Sequence, residues 1–456
     1  MLRVSLTMEN LMPRRITKNW LPCILLVLAT SSAWSQQAPP RSFEESPKAA
    51  LALTTPSFPE SVSLPTTLKQ AFDAAWLRQP EAQSKEARQQ AASARRLAAD
   101  SWTAEPAALA LSTKSDRLNN NQGSRENEAG LAIPLWLPGE RARSGSLADA
   151  EMRAAASRVM AAQLRTAASV REAYWLWQRT RIEQDLARER LINAQQFAAD
   201  VVRRVKAGDL ARADQHQADG AVATAEAGLA EAISALAGAS HQLRALSGIP
   251  PGPNALSALD TEAVAEPAPE VPADFAALDT GHPAVVELLD RANVARRTIE
   301  LAGVQTRANP ELTLATTRGR GVSGEPYQQT ITLGIRIPFG ADSRNRAKQA
   351  TAQADGIEAE AQLGLERGRL LSELDAARVR LESARTQVNA ANKRSQLARE
   401  SRSFFQKSFR MGETDLPTRL RVELEASDAE RQVGRSRIDL AAAVSALRQA
   451  LGLLPE

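Results

Sequence analysis

Cysteine is nearly absent: the 456-residue chain has one, Cys23, and only three histidines, His216, His241 and His282, far apart in sequence. Disulfide scaffolds, thiolate zinc sites and iron–sulfur clusters are therefore excluded, and a histidine-built metal site is not expected. Aromatic residues make up 4% of the chain, too few for the many-layered core of a compact enzyme. A charge excess is also missing. The chain has 57 Lys and Arg against 53 Asp and Glu, so nucleic acid is not an expected partner. Beyond the N-terminal region no run of 18 apolar residues occurs, and no membrane-spanning helix is expected. No Ser/His/Asp set, phosphate loop or pocketed carboxylate pair is seen, so neither catalysis nor a cofactor or metal is expected. Disorder is disfavoured as well, because 43% of the residues are hydrophobic.

The N-terminus reads as an export signal. Arg14, Arg15 and Lys18 precede an apolar run, Leu21 to Ala29, and the small residues Ala33 and Ser35 fit a cleavage site after Ser35. The run is shorter than a spanning helix requires. A lipoprotein signal does not fit, because Pro22 precedes Cys23 and the apolar run follows it. Loss of residues 1–35 removes Arg3, Arg14, Arg15 and Lys18 together with Glu9, leaving a nearly neutral, cysteine-free chain. Such a composition is common in the bacterial envelope.

Where proline is missing, long helices can run. None occurs from Gly139 through Ile249 or from Phe339 through Leu416, and both stretches are rich in Ala, Glu, Arg, Gln and Leu. Met160, Leu164, Ala167, Val170, Tyr174 and Trp177 recur at three- and four-residue steps, a helical stripe. A helix over 141–206 would span ~100 Å. It has to lie against other helices as a coiled coil or a tubular wall, with Tyr174, Trp175 and Trp177 as packing residues. Prolines crowd residues 39–65 and 250–272, which read as an extended segment and a linker.

The chain is also a repeat. At an offset of about 204, Pro106 falls on Pro310, Pro134 on Pro338, Gly208 on Gly412 and Gly248 on Gly452. Gln79-Pro80-Glu81 matches Gly281-His282-Pro283 with a slip of one. Each copy reads helix, strand, strand, long helix, turn, helix. The clearest strand is Tyr327–Phe339, where Ile331, Leu333, Ile335, Ile337 and Phe339 alternate with Thr330, Thr332, Gly334, Arg336 and Pro338. Its counterpart puts Leu131, Ile133, Leu135 and Leu137 on one face and Ala132, Pro134 and Trp136 on the other. Weaker strands precede them at Ala107–Thr113 and Glu311–Thr317, with polar loops at 114–125 and 318–326. Two readings remain open: a soluble hairpin packed on helices, or a transmembrane hairpin with one lipid face and one wet face. Strand length, export, and Trp136, Tyr327 and Phe339 near strand ends favour the second. Four strands cannot close a barrel, so spanning strands require several chains.

On these residues the chain resembles the TolC-like outer-membrane factors, the outer-membrane efflux protein family. Leu64-Pro65-Thr66-Thr67-Leu68-Lys69-Gln70-Ala71-Phe72 with Gln79-Pro80-Glu81 is similar to that family's first-helix signature. Val205-Lys206-Ala207-Gly208-Asp209-Leu210 and Phe409-Arg410-Met411-Gly412-Glu413-Thr414-Asp415-Leu416 are similar to its two hairpin tips. The resemblance covers nearly all of the mature chain. It implies a mainly α fold with a small transmembrane β part, and a homotrimer with a 12-stranded β-barrel and a coiled-coil helical tunnel. It implies a passive exit duct in the cell outer membrane with a long periplasmic portion. Its partners would be a periplasmic adaptor and an inner-membrane pump, proton-driven and of the resistance-nodulation-division class. The text Leu135-Trp136-Leu137-Pro138-Gly139-Glu140-Arg141 is similar to ducts of heavy-metal pumps of that class, which makes heavy-metal cations the expected cargo. Drug efflux and type I protein secretion are the alternatives within the family. A periplasmic coiled-coil structural or adaptor protein is the rival outside it.

The expected organisation is a signal peptide at 1–35, an extended segment at 36–66, and repeat 1 at 67–249, with a β-hairpin near 107–137 and a helical hairpin near 141–247. A Pro-rich linker at 250–280 leads to repeat 2 at 281–456, with hairpins near 311–339 and 342–453. The resemblance implies adaptor contact at the tips, Ala207, Gly208, Asp209 and Leu210 with Met411, Gly412, Glu413 and Thr414. Acids crowd these turns, and acids there serve as helix caps. In a trimer a lumen-facing acid would also form a ring. Some family members carry aspartates six and nine residues after the second-tip glycine, where this chain has Thr418 and Arg421; the first tip has Asp214 at the sixth place. The candidate gate is Asp214, Asp415, Arg419 and Arg421, with the arginines placed to pair with Asp214 across a closed entrance. Ile331, Leu333, Ile335 and Ile337 are expected to face lipid, and Arg336 the lumen.

Overall fold

A computed structural model describes residues 67–119, 121–250, 265–270, 281–340 and 342–456. The expected signal peptide and extended segment, and most of the linker, lie outside these residues. The first helix, α1 (Leu68–Leu77), starts where Thr67 Oγ1 accepts from the Gln70 amide at 3.2 Å and Gln70 returns the bond to Thr67. Its inner face buries Leu68, Ala71, Phe72 and Ala75. Pro80 then opens α2 (Pro80–Ala99) at a position where its missing N–H costs nothing. The first copy thus has two helices before its strands where one was expected.

The hairpin β1 (Ala108–Ser115) and β2 (Arg125–Pro134) leads into α3 (Glu140–Ala207), 68 residues, which turns into α4 (Arg212–Ser247). The second copy runs α5 (Pro283–Val304), β3 (Glu311–Arg320), β4 (Gln328–Arg336), α6 (Asp342–Met411), 70 residues, and α7 (Leu416–Ala450). At 1.5 Å per residue each long helix spans ~100 Å. Neither returning helix covers its whole partner. α3 packs on α4 and α7 along one part of its length and on α2 and α5 as well, while α6 packs on α7 and α5.

The main core lies where α1, α3, α4 and α7 meet. Tyr174, Trp175, Trp177, Val170, Leu68, Phe72, Leu243 and Ile438 are buried together. Tyr174 and Trp175 meet edge to face, ring centroids 5.3 Å apart. Beside this core sits an ionic cluster. Arg171 holds Glu266 with Nη2 at 2.7 Å and Nε at 3.1 Å, and Arg448 Nε approaches the same carboxylate at 3.1 Å. The side chains of all three are at most 5% exposed. Arg171 also donates to the Leu453 carbonyl, and Arg448 to that of Pro267. Residues of the inter-repeat segment and of the C-terminus are thereby fastened to α3 and α7.

The four strands form one antiparallel sheet in the order β1-β2-β3-β4. Both hairpins extend further into polar sequence than expected, to Ser115, Arg125 and Arg320, because polar side chains pair across the ladder, as Lys114 does with Glu126 at 3.0 Å. The other end is shorter. β2 stops at Pro134, so Leu135 and Leu137 are not strand residues. Leu137 is buried in the joint to α3, where its amide donates to Glu140 Oε2 at 3.0 Å. Glu140, itself buried, also accepts from Gln305 at 2.7 Å and Asn309 at 2.9 Å, which ties the start of α3 to the entry of β3.

Candidate functional site

The sheet has two unlike faces. Opposed partners in an antiparallel ladder point to the same side, so the register sorts the side chains. One face carries the rows Leu109–Leu131–Leu314–Leu333, Leu111–Ala129–Thr316–Ile331 and Ile133–Leu312–Ile335. The other carries Ala108–Ala132–Thr313–Gly334, Ala110–Gly130–Ala315–Thr332 and Ser112–Glu128–Thr317–Thr330. In the two central strands the apolar face is the more exposed and the small-residue face the more sheltered, alternating residue by residue from Arg125 to Ala132 and from Thr313 to Gly319. The sheltered face is crowded: a Cβ on Gly130 would stand 3.3 Å from that of Ala315, and one on Gly334 2.8 Å from Thr313 Oγ1. Small residues there let the sheet curl, with the apolar face outward.

Ile331, Leu333 and Ile335 lie on that outward face, 73%, 72% and 60% exposed. Ile337 lies one residue past the end of β4. Arg336 shares the sheltered face with Pro134 and Glu311 and pairs with Glu311 at 3.6 Å. Among the described residues β1 and β4 each keep one unpaired edge. Among the described residues no helix is long and apolar enough to cross a membrane.

At the far ends of the helices the two turns are built alike. Gly208 and Gly412 have φ of 87° and 80°, the left-handed conformation that ends a helix. The amides of Gly208 and Asp209 donate back to Val205 and Arg204, and those of Gly412 and Glu413 to Phe409 and Ser408. The tips lie side by side. Val201, Ala198, Ala218, Phe409 and Leu416 form a small core with Leu210 against it. Arg204 lies over the Phe409 ring at 4.7 Å and donates to the Phe409 carbonyl at 3.0 Å. Ala207, Gly208, Asp209, Met411, Gly412 and Glu413 are exposed, whereas Leu210 and Thr414 are half-buried, the Thr414 hydroxyl sharing a hydrogen bond with Ser408.

The candidate gate residues do not converge within one chain. Asp214 accepts from the Ala211 amide at 2.9 Å, and Asp415 caps α7 by accepting from Thr418 at 3.3 Å. The Thr418 side chain first, and then this amide bond and the field of Arg421, hold the Asp415 carboxyl below its ordinary value against the opposing effect of burial. Arg421 is exposed. Arg419 corrects the expectation: it is buried, its guanidinium 2.6 Å from Glu423 and stacked over Phe197 at 5.8 Å, so it is not available to Asp214. Sequence reasoning also missed Glu140, Arg204 and the Arg171–Glu266–Arg448 cluster. Nothing marks their charges as buried among the many solvated ones of the same helices. Among the described residues no group of three or more His, Cys, Asp or Glu is placed to hold a metal ion.

Residues 71–249 match the family model described as outer membrane efflux protein. No curated protein sequence matches the chain. Solved structures match its fold. VceC from Vibrio cholerae, an outer membrane protein, is 19% identical with a TM-score of 0.66, over 85% of this chain and 97% of that one. CusC, described for its transmembrane channel formation, is 17% identical with a TM-score of 0.70, over 85% and 92%. The open state of the MtrE outer membrane channel from Neisseria gonorrhoeae is 17% identical with a TM-score of 0.68, over 85% and 89%.

Proposed function

We propose that three copies of this chain close a twelve-stranded barrel in the outer membrane and continue into a helical tunnel through the periplasm, the passive exit duct of a tripartite efflux pump. The observation that carries this is the sheet with one exposed apolar face, one sheltered small-residue face and two open edges. In water such a face would be costly, and in lipid open edges would be. Closure by further copies, edge β4 of one on edge β1 of the next, removes both problems. The sheltered face, with Arg336 and Glu311 paired on it, becomes the lumen.

The duct has no energy source of its own. A proton-driven inner-membrane pump of the resistance-nodulation-division class and a periplasmic adaptor supply the drive, and the exposed tip residues Ala207–Asp209 and Met411–Glu413 are the docking surface for the adaptor. Asp214, Asp415 and Arg421 are the gate residues, each contributing to neighbouring chains what it lacks in its own. The finer reading of the cargo, heavy-metal cations, rests on the Leu135–Arg141 text alone. In the fold those residues build the joint between sheet and tunnel, where Trp136 donates to the Ser101 carbonyl and Arg141 to that of Asp100.

The test is the mass of the mature protein extracted from the outer membrane in mild detergent. A trimer is expected, and a stable monomer would overturn the barrel. For cargo, loss of the protein should lower tolerance to copper or silver salts. Lowered tolerance to organic drugs alone would replace the metal reading by drug efflux.

A further inference from the structure

Charged side chains on the outward face of the sheet sit at one end only. Arg125, Arg318 and Arg320 all belong to the apolar face by register, in the rows nearest the hairpin loops and above the leucine and isoleucine rows. All four strands enter and leave the helices at the opposite end. On the channel reading, on which this inference rests, the arginines therefore ring the barrel at the outer-leaflet boundary.

Their local chemistry is unbalanced. Arg125 and Arg320 are direct cross-strand partners, an arrangement in which like charges repel. Arg318 and Arg320 lie on one Tyr327 ring, at 5.0 and 5.1 Å from its centroid, so their guanidiniums are held near each other. Among the described residues none of the three meets a carboxylate. The acids nearby are engaged elsewhere: Glu126 pairs with Lys114 on the sheltered face, and Glu325 accepts from the Gly321 and Val322 amides in the turn. Arg320 spends its Nε on the Gly123 carbonyl at 3.1 Å, which leaves its terminal nitrogens. Three guanidiniums above a strip of exposed leucines match one kind of ligand, a phosphate group carried on acyl chains. Arginine binds phosphate in a bidentate fork, while the chains lie along Leu109, Leu131, Leu314 and Leu333. Tyr327 belongs at the same depth, with its ring toward the acyl region and its hydroxyl toward water.

We infer that Arg125, Arg318, Arg320 and Tyr327 form a docking site for a phosphorylated lipid of the outer leaflet. The site would occur three times around the barrel.

The experiment is binding of diphosphorylated lipid A to the purified trimer by native mass spectrometry, with inorganic pyrophosphate as the chain-free comparison. Wild-type trimers should retain up to three lipid A molecules and bind pyrophosphate at least 10-fold more weakly. The triple variant Arg125→Gln/Arg318→Gln/Arg320→Gln should lose at least 10-fold in lipid A affinity. The single variant Arg318→Gln, at an exposed position, should lose roughly 3-fold. Lys114→Gln, on the opposite face, should bind as wild type. Equal binding by wild type and the arginine variants, an equal loss in Lys114→Gln, or equal affinity for pyrophosphate would each overturn the site. Membrane-inserted trimers that bind no lipid A would overturn the site and leave the channel standing. A protein that does not insert at all would overturn the channel, and the site with it.

Discussion

α3 and α6 occupy the same place in the two copies and are nearly equal in length, yet they meet different surroundings. α3 lies against α1, α2, α4, α5 and α7 and buries Val170, Tyr174, Trp175, Trp177 and Ile182. Among the described residues α6 packs mainly on α5 and α7, meeting α3 at the tip through Phe409, and exposes Ile357, Leu365, Val379, Leu397 and Phe404, the last four at 56–77%. Duplication would otherwise give the copies equal burial. The apolar side chains left bare on α6 find no covering surface among the described residues, and neither do the open edges of β1 and β4. On the proposed trimer, one copy supplies the inside of the protomer and the other supplies its seam.

That contrast breaks most sharply by substitution. Tyr174→Ala in α3 should cost ~3–5 kcal/mol, the range for losing a fully buried aromatic side chain. It should lower the thermal midpoint of the protein whatever its oligomeric state. Val379→Asp in α6, exposed in the single chain, should leave protomer folding within about 0.5 kcal/mol. Sedimentation in detergent should nonetheless show the loss of trimers. Equal loss of stability from both changes would mean that α6 is not a seam.

The second contrast lies within the sheet. Leu333→Arg places a charge on the outward face, at a cost of ~2–4 kcal/mol near the bilayer middle. Thr332→Arg, on the sheltered face, should be tolerated. Recovery of heat-resistant trimers from outer membranes measures both. Equal yields would reverse or abolish the assignment of faces.

A third contrast pairs two helix joints related by the repeat. A Cβ on Gly248 would meet Arg78, and one on Gly452 would meet His282, so the same closure is made with different partners. His282 is buried. Its Nδ1 accepts from the Ala284 amide at 3.3 Å, and burial pushes its pKa down; Glu366 opposes that shift and Arg369 adds to it. A group whose folded pKa is depressed contributes stability above its unfolded value, near 6.5, and loses it as pH falls toward the folded one. The midpoint of unfolding should therefore drop between pH 7 and pH 5, and His282→Asn, which keeps a cap, should flatten that slope. An unchanged slope would place the pH sensitivity elsewhere.

What could be read from sequence follows from how local each cause is. Helix bounds came from proline and glycine: 141–206 was expected for α3 and Glu140–Ala207 is found. The alternation at Ile331, Leu333 and Ile335 gave a face because strand period is a local property. The end of β2 was not local. Leu135 and Leu137 continue the alternation, but the chain leaves the sheet after Pro134 because Gly139 turns it and Glu140 is held from the second repeat by Gln305 and Asn309. Arg419 failed for the same reason. An arginine beside exposed Arg421 gives no sign that Phe197, more than 200 positions earlier, will cover it.

The smallest expected effect separates the two tips. In the second, Asp415 is the cap of α7 and its carboxyl is held below its ordinary value, first by the Thr418 hydrogen bond. In the first, the equivalent place is Ala211, which has no side-chain oxygen, and Asp214 serves from within the helix. A depressed carboxylate stabilises the turn above its unfolded pKa and stops doing so as pH falls through the folded value. Protection of the Thr418 amide against hydrogen exchange, corrected for intrinsic rates, should thus weaken below about pH 4 in the wild type. In Asp415→Asn the protection should not depend on pH, because asparagine caps without titrating. If Asp415 also serves the gate, single-channel conductance of Asp415→Asn in planar bilayers should exceed that of the wild type at pH 7 and match it in acid, where both lack the charge. A pH-independent amide with a changed conductance would leave Asp415 at the gate without the cap, and a changed amide with an unchanged conductance would leave it a cap alone.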